Sequence, residues 1–159
     1  AIRMRRSCLE YAMDYLSRYP KSVFEMKLQL SKKEYSPEEI DETIPVLKEL
    51  NYLNDLEYTR SYVLWEVGRR GKSLLKVRQK LYHKWIPRSH VATVVEDHDV
   101  EIQQWITTQI EKLAHKYLAK WASYLEVLQK LLARWYTAKD VQRSGIENLF
   151  EEETNDFTH

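Results

Sequence analysis

An all-α chain built from tandem three-helix repeats is the fold class that this sequence predicts, and three observations carry the prediction. First, three segments beginning at Lys21, Lys72 and Ala122 align with one another at a spacing of about 50 residues. Second, the 159 residues include only 3 Gly and 4 Pro, too few for a chain of strands and tight turns. Third, apolar residues recur at helical spacing, with no sustained alternation and no Asn-Gly or Asp-Gly hairpin turn. Modules of this size bury a core poorly alone and gain by stacking. The expected architecture is therefore an elongated, curved array, with a single globular bundle as the alternative.

The aligned columns make physical sense. Ser22, Ser73 and Ser123 stand where a helix cap belongs. Met26, Val77 and Val127 are apolar, and so are Leu30, Leu81 and Leu131 one turn later. Tyr35, Ile86 and Tyr136 fill a large apolar slot at the junction, and Ile40, Val91 and Val141 open the next stripe.

The first repeat spans residues 1–53. Leu9, Ala12, Met13 and Leu16 mark its opening helix, and a second helix follows Ser22. A third starts at Ser36-Pro37-Glu38-Glu39, a capping box with proline at the first helical position. It continues through Ile40, Ile44, Leu47 and Leu50, and Pro45 is expected to kink it or cut it short. The second repeat, 54–98, carries helices over Leu56–Val67, Ser73–Trp85 and Pro87 to about Glu96. The third, 99–153, opens with a longer helix from Val100 to about Trp121, and Thr137-Ala138-Lys139-Asp140 repeats the capping pattern. Residues 154–159 form a tail.

Composition excludes several function classes. No run of about 18 apolar residues is present, so no membrane span is expected. The opening AIRMRRSCLEY lacks the apolar core of a signal sequence, and Cys8 is the lone cysteine; both fit the cytoplasm. Net charge is only +1, yet the charges are segregated. Between Glu66 and Glu96 there is no Asp or Glu, while Arg69, Arg70, Lys72, Lys76, Arg78, Lys80, Lys84 and Arg88 all fall there.

Gly71-Lys72-Ser73 invites a phosphate-loop reading, but the loop's first glycine would fall at Glu66. The triplet reads instead as a turn between helices with Ser73 as N-cap. On the helix that follows, Lys76, Lys80 and Lys84 lie four apart and form one stripe. Leu74, Val77, Leu81 and Trp85 lie on the other side as core, and Trp135 shares the junction position of Trp85. Trp65 is a candidate surface anchor. A solvated polar face is the competing account of the lysine stripe.

Asp97-His98-Asp99 with Glu96 and Glu101 reads as a linker into a helix, where acids favour the N-terminal dipole, rather than as a metal loop. His83 and His90 have no thiolate near them and do not make a zinc set. No nucleophile–base–acid order is present. No cofactor, metal or catalytic residue is expected, and the chain is not expected to be an enzyme.

Asn51-Tyr52-Leu53-Asn54-Asp55, followed by Tyr58 and Ser61-Tyr62-Val63, is similar to the Gly-Tyr-Leu-Asp-Asp…Phe-Ala…Tyr-Val signature of the RecX family. Gly71 to Leu81 resembles that family's Gly-Pro-x-x-Ile-x-x-Glu-Leu helix, and the resemblance runs from about Leu9 to Leu149. The family's usual glycine before the junction residue is replaced by Glu34, Trp85 and Trp135, which leaves the turn geometry there open. Asn51 for glycine is a mild change; Ser73 replaces a proline and Lys80 a glutamate. Family members can carry further repeats, so these three need not be the whole array.

The resemblance implies a regulator of the RecA recombinase that lies in the helical groove of RecA filaments on single-stranded DNA and suppresses ATP hydrolysis and strand exchange. The implied partners are the RecA filament, single-stranded DNA and, weakly, duplex DNA, with a monomer expected. Arg69, Arg70, Lys72, Lys76, Lys80, Lys84 and Arg88 are the candidate filament- or DNA-binding residues. A stand-alone DNA-binding module acting through the basic second repeat is the alternative.

Overall fold

The computed structural model describes residues 5–120 and 122–156, with side chains described as far as Glu151. Helices α1 (Cys8–Arg18), α2 (Val23–Lys32) and α3 (Pro37–Glu49) form the first triplet. Helices α4 (Asp55–Val63), α5 (Leu74–His83) and α6 (Arg88–Asp97) form the second, with α4 running on as a π-helical segment over Leu64–Arg69. Helices α7 (Asp99–Leu118), α8 (Tyr124–Ala133) and α9 (Ala138–Ser144) form the third, and α10 (Glu147–Asp156) follows. The chain is thus all-α and made of tandem three-helix repeats. Helix α10 has no counterpart among the helices that the repeat pattern predicts. Trp121, the expected end of the long third-repeat helix, lies outside the described residues, as do the first four residues and 157–159 of the expected tail.

The caps are made as the residue types dictate. Ser22, Ser36 and Thr137 each close a reciprocal capping box with Glu25, Glu39 and Asp140. Ser73 Oγ accepts the Lys76 N–H at 3.3 Å, and Ser123 Oγ accepts that of Glu126. Helix α3 neither stops nor shortens at Pro45 but continues to Glu49. Leu50, expected to extend the α3 stripe, is instead the exposed residue that closes the helix.

Four helices end in the same corner. At the ends of α2, α3, α5 and α8, Glu34, Asn51, Trp85 and Trp135 take left-handed φ values of 65°, 62°, 59° and 70°. The next residue's N–H then reaches five residues back: Tyr35 to Leu30, Tyr52 to Leu47, Ile86 to Leu81 and Tyr136 to Leu131, at 2.8–3.2 Å. The glycine-free junctions therefore keep the left-handed turn. At three of the corners the residue after the left-handed one turns inward, and Tyr35, Ile86 and Tyr136 are buried; at the fourth Tyr52 stays exposed and the residue after it, Leu53, is the buried one. The geometry aims the left-handed residue itself outward. Trp85 is 72% exposed and Trp135 41%, so the two tryptophans placed in the core by helical spacing are surface residues.

Close packing divides the chain into two compact units. One holds the N-terminal part through Ser61 together with Leu81–Ala92; the other holds Tyr62–Lys80 and the part from Thr93 onward. In the first unit, α1, α2 and α3 pack on one another around Ala12, Leu16, Met26, Leu30, Ile44 and Leu47. Cys8 is buried in that core as a small residue. In the second unit, α7 is the organising helix and packs on α8, α9 and the π-helical segment. Its stripe of Ile102, Ile106, Ile110, Leu113, Ala114 and Tyr117 is buried throughout. Gly68 lies against the Trp105 ring, where an added Cβ would come within 3.1 Å. Among the described residues, no helix is long and apolar enough to cross a membrane.

The left-handed corners yield a stability test. A non-glycine residue at such a φ costs about 1 kcal/mol. Glu34 is exposed, so Glu34→Gly is expected to raise stability by roughly 0.5–1 kcal/mol, or about 1–4 °C in the melting midpoint. A lowered midpoint would show that the glutamate side chain holds the corner by contacts that outweigh the strain.

Candidate functional site

The basic segment begins in the π-helical stretch. The Arg70 N–H reaches the Trp65 carbonyl, five residues back, at 3.0 Å. Gly71 then takes φ 65°, and the Lys72 N–H turns back to the Glu66 carbonyl at 2.9 Å. The Gly71 carbonyl accepts the Tyr136 hydroxyl at 2.9 Å. Burial pushes the Tyr136 phenol up to about 12, against the pull of the nearby Arg134 charge and with the help of Asp140. The Lys72 and Lys76 N–H groups thus go to the helix end and to Ser73 Oγ, and the turn is a helix connector rather than a phosphate cradle.

Each candidate cation has a definite setting. In the second unit, Arg69 and Lys80 are exposed, and Lys72 and Lys76 are partly exposed. Arg70 pairs with Glu66 at 3.0 Å, which neutralises a carboxylate that is otherwise almost fully buried. In the first unit, Lys84 is drawn out of the lysine stripe. Its Nζ lies 3.2 Å from Glu25 Oε2 and donates to the Tyr58 hydroxyl at 2.9 Å. Arg88 in the same unit lies over the Tyr82 ring at 4.7 Å. Of Lys76, Lys80 and Lys84, spaced four apart, only Lys84 is ion-paired among the described residues. Trp65, the candidate surface anchor, is exposed.

Two cavities in the second unit collect basic groups. The smaller, about 150 Å³, is lined by Gly71, Lys72, Ser73 and Lys76 from one side and by Ala133, Arg134, Trp135 and Tyr136 from the other. The larger, about 380 Å³, is lined by Arg69, Arg70, Trp105, Gln109 and Lys112 among others. Arg134 and Lys112 lie outside the acid-free window that marks the other cations. Arg134 could have been found from the repeat register, because it occupies the position that Lys84 holds one repeat earlier. Lys112 sits on α7 with no such signal. Among the described residues, no group of three or more histidine, cysteine or carboxylate side chains is placed to hold a metal.

Comparison with known proteins places this arrangement. Residues 8–44 match the family described as RecX, first three-helix domain. A regulatory protein RecX from Lactobacillus johnsonii is 32% identical, over 93% of this chain and 55% of its own length. One from Bacillus pumilus is 34% identical over 110 residues, covering 67% of this chain and 41% of its own length. The chain spans about half the length of the curated relatives it matches. The crystal structure of RecX from Lactobacillus salivarius has the same fold, with a TM-score of 0.75 over 88% of this chain and 93% of that one, at 23% identity.

The Glu25–Lys84 pair makes a pH-dependent prediction. Burial raises the Glu25 carboxyl, but the Ser22 N–H, the Tyr58 hydroxyl and the Lys84 ammonium outweigh it and hold the group below its ordinary 4.5. A lowered folded value means stability that is present above 4.5 and is lost as pH falls through the lower, folded value. Glu25→Gln should therefore cost about 1 kcal/mol in denaturant melts at pH 7, with the deficit closing as pH drops below 4.5. A deficit that does not change with pH would rule out the charge as its source.

Proposed function

Because this chain belongs to the RecX family, we propose that it is a regulatory protein without catalytic activity that acts on the RecA recombinase. On this reading it binds RecA filaments on single-stranded DNA, lies in their helical groove, and suppresses ATP hydrolysis and strand exchange. The three repeats, 1–53, 54–98 and 99–153, are its binding modules, and it acts as a monomer in the cytoplasm.

One observation supports this reading above the others: the second unit concentrates cations that have no counter-ion among the described residues. Arg69, Lys72, Lys76 and Lys80 are at least partly exposed, and among the described residues none of them is ion-paired. With a net charge of only +1, that local excess suits a polyanion met at close range. Arg70, Lys84 and Arg88 hold internal partners and serve the architecture first.

RecA-catalysed ATP hydrolysis on single-stranded DNA tests the proposal. The added chain should suppress turnover, and unchanged turnover at saturating amounts would reject the reading. Arg69→Glu with Lys80→Glu should raise the concentration needed for half-inhibition on the order of tenfold, with the melting midpoint kept, since both side chains are exposed. A stand-alone DNA-binding module would instead bind bare duplex tightly in salt-dependent gel shifts and leave RecA turnover alone.

A further inference from the structure

The two compact units each contain a contact between the start of a middle helix and a left-handed corner, and the charges in the two contacts differ. In the first unit, the start of α2 meets the corner after α5. Glu25 pairs with Lys84 at 3.2 Å, and the Phe24 and Trp85 rings lie 5.7 Å apart. In the second unit, the start of α5 meets the corner after α8, and Lys72, Lys76, Arg134 and Trp135 line one cavity of about 150 Å³. The repeat register places Lys76 where the earlier copy has Glu25, and Arg134 where it has Lys84. An internal ion pair in one unit is thus a pair of like charges in the other. Lys72 adds a third cation, and among the described residues none of the three has a carboxylate partner.

Three cations lining one small cavity make a favourable setting for an anion. Trp135 adjoins them, 41% exposed and held outward by its left-handed backbone, and offers an apolar face at the cavity rim. An anion beside an aromatic plane is what a nucleotide unit of a single strand presents: a phosphodiester and a neighbouring base. We propose that Lys72, Lys76 and Arg134 form a phosphate site for single-stranded nucleic acid, with Trp135 stacking on the adjoining base. This deepens the reading proposed above and rests on it for the partner's identity. The first unit's counterpart is closed to such a ligand by its own Glu25.

The test uses the 159-residue chain without recombinase. Anisotropy of a labelled oligothymidylate is followed for the wild type and for Lys76→Glu, Arg134→Gln and Trp135→Ala, each at several salt concentrations. Each variant should weaken binding by about tenfold, and the log–log salt slope should fall by about 0.7 for each phosphate that a variant no longer neutralises. Lys76→Glu rebuilds against Arg134 the Glu25–Lys84 pair, so it should melt no lower than the wild type while losing the oligonucleotide. Lys48→Gln, an exposed lysine of the first unit, should bind like the wild type. Inorganic phosphate, matched to the oligonucleotide in phosphate concentration, should fail to displace it. Four results would overturn the proposal: no binding by the wild type, wild-type affinity in both Lys76→Glu and Arg134→Gln, an equal loss in Lys48→Gln, or displacement by free phosphate. Recombinase inhibition is read separately, so either claim can fail while the other stands.

Discussion

The left-handed helix corner is the constraint on which the rest of this molecule depends. At the ends of α2, α5 and α8 the chain must reverse within two residues, and the hydrogen bond reaching five residues back does it. That bond requires one residue with positive φ, and none of these three corners uses glycine. Each corner therefore costs about 1 kcal/mol of backbone strain. What offsets it is the next residue: Tyr35, Ile86 or Tyr136 is driven into the core, and burial of a large apolar side chain contributes about 1.5–3 kcal/mol. The sign of the balance explains why the turn survives three substitutions of its preferred residue.

The same geometry separates structural positions from variable ones. The inward residue is bound to packing, whereas the outward residue changes character from copy to copy and its predecessor stays basic. They read Lys33-Glu34, Lys84-Trp85 and Arg134-Trp135 in the three copies. The predecessor is always cationic, so its effect depends on what the neighbouring middle helix offers. Glu25 turns Lys84 into part of the scaffold. A lysine in the equivalent place leaves Arg134 with charge to spare.

Much of this is legible from residue order alone. The capping serines, the apolar columns and the inward junction residues follow from local hydrogen bonding and helical period, and those are properties of short segments. Residue order misleads where spacing and backbone conformation compete. Trp85 lies four residues after Leu81 and so reads as core, but the helix ends at His83 and the left-handed turn swings it out. Pro45 reads as a breaker, yet α3 passes through it. Lys84 reads as part of a basic stripe, yet its partner Glu25 lies far away in sequence and no spacing rule could pair them. Pairing across a fold is invisible to a linear pattern, which is why the fold is more legible than the site.

Near-neutrality finally limits how such a chain can recognise a polyanion. With 25 basic and 24 acidic residues, its long-range field is weak, and salt screens exposed charges beyond about 8–10 Å. Attraction therefore acts at contact range and depends on which cations lack internal partners, not on their number. Among the candidate cations of the basic segment, pairing of Arg70 with Glu66 and of Lys84 with Glu25 removes two from that reckoning. Of the others, Arg69, Lys72 and Lys76, with Arg134 facing, line the two cavities beside Gly71. On the proposed reading, a ligand held there matches a local arrangement of charge and ring, which favours a nucleotide-sized feature of a polymer over bulk negative charge.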